Sequence, residues 1–228
     1  MDHIQTTADI ARATQSDGAA AVALSEAPVV KRDGRRLRSE RTRAAIIAAL
    51  QELIEEGDLK PTAPRVALRA SVSLRTVFQH FADIEHLFAA LAAKQVREVA
   101  AAVDLVDPHL PLPDRLRDYV AQRAHLLEQI TPIARAVTMR ESYSPLVRAQ
   151  ADRLRALARW EVANTFAPEL DSMPARQRAR RVAALRACST WRMWEILRAE
   201  QRFEPAAAAE LITLQMGALL GLDVDGTV

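Results

Sequence analysis

The chain is predicted to be all α-helical, and three observations carry that expectation. Ala, Leu, Arg and Glu dominate, with only 6 Gly and 4% aromatics, and side chains of this kind lose little freedom in a helix. Apolar residues recur at three- and four-residue spacing, and no run of alternating β-branched residues marks a strand. At 228 residues, half of them hydrophobic, the chain can bury a substantial core in one or two domains.

Composition also narrows the function. A single Cys, Cys188, allows neither an internal disulfide nor a cysteine metal cluster, and no apolar span approaches the roughly 20 residues a membrane helix needs. A soluble, cytoplasmic protein without a cofactor is expected. The net charge of +2 conceals an asymmetry. Residues 31–81 carry eleven Lys or Arg against six Asp or Glu, whereas residues 1–30 carry one Arg against four acids. A local positive surplus is the footprint of a surface that meets nucleic acid.

In chain order, Met1 to Val30 mixes Ala, Thr, Ser and Asp with few large apolar residues, and the composition predicts a disordered tail. Lys31 to Arg38, KRDGRRLR, follows as a flexible basic arm able to enter a minor groove, a solvated charge run being the plain alternative. Ser39 to Glu56 is the first helix, with Ile46, Ile47, Leu50, Leu53 and Ile54 on one face and Gly57 as its stop.

Two short helices then flank a tight turn. Thr62 is a candidate N-cap with Pro64 tolerated in the first turn, and Val66, Ala67 and Ala70 recur at helical spacing. Ser71-Val72-Ser73 interrupts the pattern, and Ser73 caps a helix whose Val77 and Phe81 share a face. A helix, a short turn and a second helix match a helix-turn-helix, whose second member lies in the major groove. With Val72, Val77 and Phe81 turned inward, Leu74, Arg75, Thr76, Phe78, Gln79 and His80 face outward. Arg75 suits guanine or phosphate, Thr76 phosphate or a thymine methyl, and Gln79 adenine. Thr62, Arg65, Ser73, Arg35, Arg36 and Arg38 complete the candidate DNA-binding set, although polar residues on any surface helix read the same way.

Thr42 to Leu91 resembles the N-terminal DNA-binding domain of the tetracycline-repressor (TetR/AcrR) family of bacterial regulators. The residues that carry the likeness are Gly57, Thr62, Val66-Ala67, Ala70-Ser71-Val72-Ser73, Thr76-Val77-Phe78, Phe81 and Ile84-Glu85. Ser71 stands where that family usually has Gly, Phe78 where it has Tyr and Ile84 where it has Lys. A left-handed backbone at Ser71 would cost roughly 1 kcal/mol that Gly avoids. The other two departures remove a hydroxyl and an ammonium from the phosphate contacts the family makes.

The helix after Asp83, with Leu87, Leu91 and Val96, runs to about Val103, and three prolines between Asp107 and Pro113 mark a break. Further helices are expected from about Asp114 to Gln129, Pro132 to Met139 and Pro145 to Phe166, then a loop bracketed by Pro168 and Pro174. The last two run from about Ala175 to Gln201 and Pro205 to Leu222. The final one is apolar on more than one face and so requires a second partner. The domains read as a tail with arm over 1–35, a helix-turn-helix domain over 36–85, and a helical regulatory and dimerisation domain over 86–228.

The resemblance implies a homodimer joined through its last two helices, a pseudo-palindromic double-stranded DNA operator, and a small-molecule effector in the body, usually acting on a repressor. Candidates for that pocket are Tyr119, Arg123, His125, Met139, Trp160, Trp191 and Trp194, with Met193 and Cys188 beside them, and ordinary packing remains open for each. The tryptophans suggest an aromatic or apolar effector. A helical dimeric interaction protein that has lost specific DNA binding is the alternative. An enzyme is disfavoured: no base accompanies Cys188, the five His show no metal-ligand spacing, and no phosphate loop appears.

Overall fold

The structure is a computed structural model that describes residues 30–222, with side chains from Gly34 onward. The tail expected over residues 1–30 lies, but for Val30, outside the described residues. All regular structure among the described residues is helical. The chain separates into two compact units, one ending at Glu40 and one running from Arg41.

Helix α1 spans Val30–Glu55 and is followed by α2, Ala63–Arg69, α3, Leu74–His80, and α4, Ile84–Ala102. Lys31 to Arg38 is therefore helical, which corrects the expected flexible arm. Arg and Leu are good helix formers, and Arg36 Nε lies 2.9 Å from Glu40 Oε1 one turn on. No proline stands between Pro28 and Pro61 to stop the helix. A glycine inside it, Gly34, costs about 1 kcal/mol at most, too little to break it.

The body opens with α5, Leu112–Glu141, and α6, Pro145–Thr165. Two helices were expected where α5 is one. Pro132 lies inside it, removing one amide, yet Ile130, Ile133, Ala136 and Val137 are buried on either side. Burial of that face outweighs the roughly 3 kcal/mol penalty of an interior proline.

Short α7, Ala167–Leu170, occupies the predicted loop, with Pro168 in its first turn, where its missing amide has no intrahelical acceptor. The single helix expected from Ala175 to Gln201 is divided into α8, Ala175–Cys188, α9, Trp191–Glu195, and a π-helical turn, Ile196–Glu200. Thr190 causes the division: its backbone is extended and its hydroxyl accepts from the Met193 amide at 3.2 Å, opening a new helix. Helix α10, Pro205–Leu220, ends at Gly221 with φ of 86°.

Two cores follow. The first joins Ile46, Leu50 and Ile54 of α1 with Val66, Val77, Phe81, Leu87 and Phe88, and reaches Ile133, Ala136 and Val137 of α5. The second gathers Leu116, Tyr119, Val162, Phe166, Leu185, Trp194, Ile212 and Met216 from the body helices. Helix α4 packs along α6, and α5 lies against α6 and α10.

Candidate nucleic-acid interface and cavity

The turn between α2 and α3 is built from backbone geometry. Ser71 has φ of 54°; its amide donates to Leu68 O at 3.1 Å and the Val72 amide to Ala67 O at 3.0 Å. This paired closure ends a helix through one left-handed residue. The strain expected at Ser71 is present. Gly57 closes α1 the same way at φ of 98°, with Asp58 donating to Leu53 O at 2.9 Å.

Ser73 then starts α3, its hydroxyl accepting from the Thr76 amide at 3.0 Å. Thr62 occupies the N-cap position of α2, but its side chain makes no capping hydrogen bond. Pro64 has removed one of the two amides that such a cap would serve. Thr62 is thereby left exposed at the start of α2.

Buried Val77 anchors α3, and Phe81 follows it into the core with the Arg43 guanidinium 4.8 Å from its ring centre. The opposite side of α3 presents Leu74, 40% exposed, Phe78, 48% exposed, Arg75 and Gln79, with Thr76 and His80 half-buried. Arg75 has no acidic partner among the described residues. Arg65 is paired with Asp58, and Arg69 with Glu56 at 2.5 Å and Glu52 at 3.3 Å. On the first turns of α1, Arg35, Arg36 and Arg38 are exposed, and Arg38 Nε donates to Gly34 O at 3.0 Å.

Helix α4 begins at Asp83, whose carboxylate accepts from the His86 amide at 2.8 Å. That bond and the adjacent His86 ring hold the Asp83 carboxyl below its ordinary value. One body side chain grips this region. Arg140, near the end of α5, is buried; it donates to Leu59 O at 3.0 Å, lies 3.7 Å from Glu85 and stacks 3.4 Å over the Phe88 ring centre. Burial pushes its guanidinium below the usual arginine value.

The next residue, Glu141, lines a partly open cavity of about 290 Å³ between α4, α5, α6 and the α8–α9 junction. Its apolar wall includes Ala92, Val96, Leu126, Leu127, Ile130 and Leu154, and its polar wall includes Gln95, Arg123, Glu141, Arg155, Arg186 and Arg192. Arg123 and Glu161 form a buried ion pair, and Arg155 pairs with Glu141. Burial raises the Glu161 carboxyl, and the guanidinium bound to it opposes the rise.

Of the pocket candidates, Arg123 and Trp191 line this cavity. Tyr119 is buried beside it, its hydroxyl donating to Ser189 Oγ at 3.1 Å and its ring 5.4 Å from Phe166 edge-on. Trp194 is buried and donates to Glu128 Oε1 at 2.7 Å, while Trp160 is half-buried elsewhere along α6. His125 and Met139 are exposed. The three tryptophans do not converge on one space. Gln95 escaped the sequence reading, although it falls in the buried series Phe88, Leu91, Ala92, Gln95, Val99, where a polar residue is a signal. Arg186 and Arg192 carry no such mark.

Solved structures share the arrangement of a helical head on a helical body as fold. A transcriptional regulator from Rhodococcus sp. RHA1 aligns at 21% identity and a TM-score of 0.62, over 80% of this chain and 96% of that one. A protein assigned to the TetR family of transcriptional regulators, from Mesorhizobium loti, aligns at 19% identity and 0.62, over 81% and 97%. A protein assigned as a transcriptional regulator, from Pseudomonas aeruginosa PAO1, does so at 17% identity and 0.59, over 80% and 91%. No family model and no curated protein matches the sequence. The fold is that of the TetR-type regulators, and the resemblance read over Thr42 to Leu91 extends, as fold, across four fifths of the chain.

Proposed function

We propose that this chain is a DNA-binding transcriptional regulator, a repressor in its ordinary mode, that binds a pseudo-palindromic operator as a homodimer and is released by a small molecule held in the body. The observation that carries the reading is the outward face of α3, where Arg75 and Gln79 stand exposed and Arg75 has no acid to occupy it among the described residues. Both side chains can pair bidentately with a base edge. Basic residues Arg35, Arg36 and Arg38 add phosphate contacts from α1, and Thr62, Arg65, Ser73, Leu74, Thr76, Phe78 and His80 border the reading face.

The domain division of the sequence is kept in coarse form: a reading head up to about residue 85, and a regulatory body beyond it. Dimerisation through α8 and α10 accords with the apolar surface that α10 retains, Leu214 being 46% exposed and neighbouring Phe203 37% exposed. Among the described residues no helix is long and apolar enough to cross a membrane. The protein acts in the cytoplasm, where its DNA lies.

The test is a mobility shift with the DNA upstream of the protein's own coding sequence. Specific retardation is expected for the unmodified protein, and Arg75→Ala or Gln79→Ala should each lose about 1–3 kcal/mol of discrimination while the dimer persists. Unchanged specific binding in both variants would refute α3 as the reader. Dimers without specific retardation would favour the helical interaction protein.

A further inference from the structure

Resting on the reading of the body cavity as the effector site, we propose that its occupant is a small apolar monoanion, a carboxylate on a hydrocarbon or aromatic body, whose acid group is read by Arg186 and Arg192. Four arginines line the cavity against one glutamate. Two are already neutralised: Arg123 by Glu161, and Arg155 by Glu141 and Asp152. Arg186 and Arg192 have no carboxylate partner among the described residues. The cavity therefore carries an uncompensated positive charge on its α8–α9 side.

Arg186 is half-buried, so its charge has lost part of its water without gaining a counter-charge. It sits in the last turn of α8, where the helix carbonyls supply a partial negative charge and no more. Two forked donors from successive helices suit a carboxylate, which accepts two hydrogen bonds side by side. Elsewhere in the lining Ala92, Val96, Leu127, Ile130 and Leu154 offer only hydrocarbon. A volume of about 290 Å³ falls just below the usual range of small-molecule sites, roughly 300–1,000 Å³. The ligand is amphipathic and small.

The experiment compares decanoate, decanol and decylamine by calorimetry on the full chain, which holds the body constant and changes only the head group. Decanoate is expected to bind at least tenfold tighter than decanol, and decylamine weakest. In Arg186→Gln/Arg192→Gln the preference for acid over alcohol should fall to about one, with the ligand-free melting temperature unchanged because neither side chain holds a partner among the described residues. Ala158→Trp, which projects an indole into the cavity, should abolish binding of all three. The proposal is overturned if decanol equals decanoate, if decylamine is tightest, if no probe binds, or if the acid preference survives either variant.

A mobility shift run in parallel separates this inference from the functional reading. Operator release by decanol or decylamine would leave regulation standing and remove the anion. Absence of specific DNA binding would remove the regulator, whatever the ligand ranking.

Discussion

Ser71 stores strain at the point where the head makes its tightest turn. Its φ of 54° is a region a β-carbon disfavours, and through it the amides of Ser71 and Val72 close α2. Ser71→Gly is expected to stabilise the fold by up to about 1 kcal/mol, and Ser71→Val to destabilise it by more, both read as shifts in melting temperature. Asp83 offers a pH test. Its carboxyl is depressed in the folded state, so its capping contribution is complete above the ordinary carboxylate pKa of about 4 and disappears as pH falls through the lower, folded value. Asp83→Ala should cost about 1 kcal/mol at neutral pH, and the gap between the two unfolding curves should close on acidification. Both residues announce themselves in sequence, one by standing where Gly is usual, the other by preceding a helical stripe. Arg140 does not: an arginine on an amphipathic helix looks solvated until a partner such as the Phe88 ring is known.

Among the elements, most of those set by local chemistry were legible, the Thr190 cap being an exception, and those set by packing were not. Ser73 and Asp83 mark their helices correctly because a side-chain oxygen satisfies an amide within a few residues. Pro132 misled the reading because its penalty is local, whereas the burial of Ile130, Ile133 and Val137 that outweighs it depends on other helices. Pro132→Ala should raise the stability of the protein by about 1–3 kcal/mol, measured by chemical denaturation, and leave its fold unchanged. In α10, Ile212 and Met216 are buried within the chain while Leu214 remains outside. Leu214→Glu is expected to convert the dimer to monomer in sedimentation, and to weaken DNA binding with it, because half-sites are held only as a pair. A dimer unaffected by this change would place the interface elsewhere.

Across the whole molecule, the head's core and the cavity share residues. Ala92 and Val137 belong to the core that supports α2 and α3, and the same two residues line the cavity. A ligand that spreads them acts directly on the packing beneath the helix-turn-helix. Arg140 adds a polar tether beside cavity-lining Glu141. Arg140→Met should therefore lower the factor by which a cavity ligand weakens DNA binding, a coupling of 1–3 kcal/mol in typical allosteric proteins. The cavity itself was the least legible feature, because the residues that line it come from five helices spread over a hundred residues of sequence. DNA binding by a basic head should also fall steeply with salt, as released counterions demand.

Footprinting of the retarded upstream fragment tests the reading of α3 most directly. Two symmetry-related protected half-sites are expected, about one helical turn apart or somewhat more on bent DNA, with protection lost in Arg75→Ala/Gln79→Ala at unchanged dimer content. Protection of a single unpaired patch, or two half-sites undiminished in that variant, would contradict it.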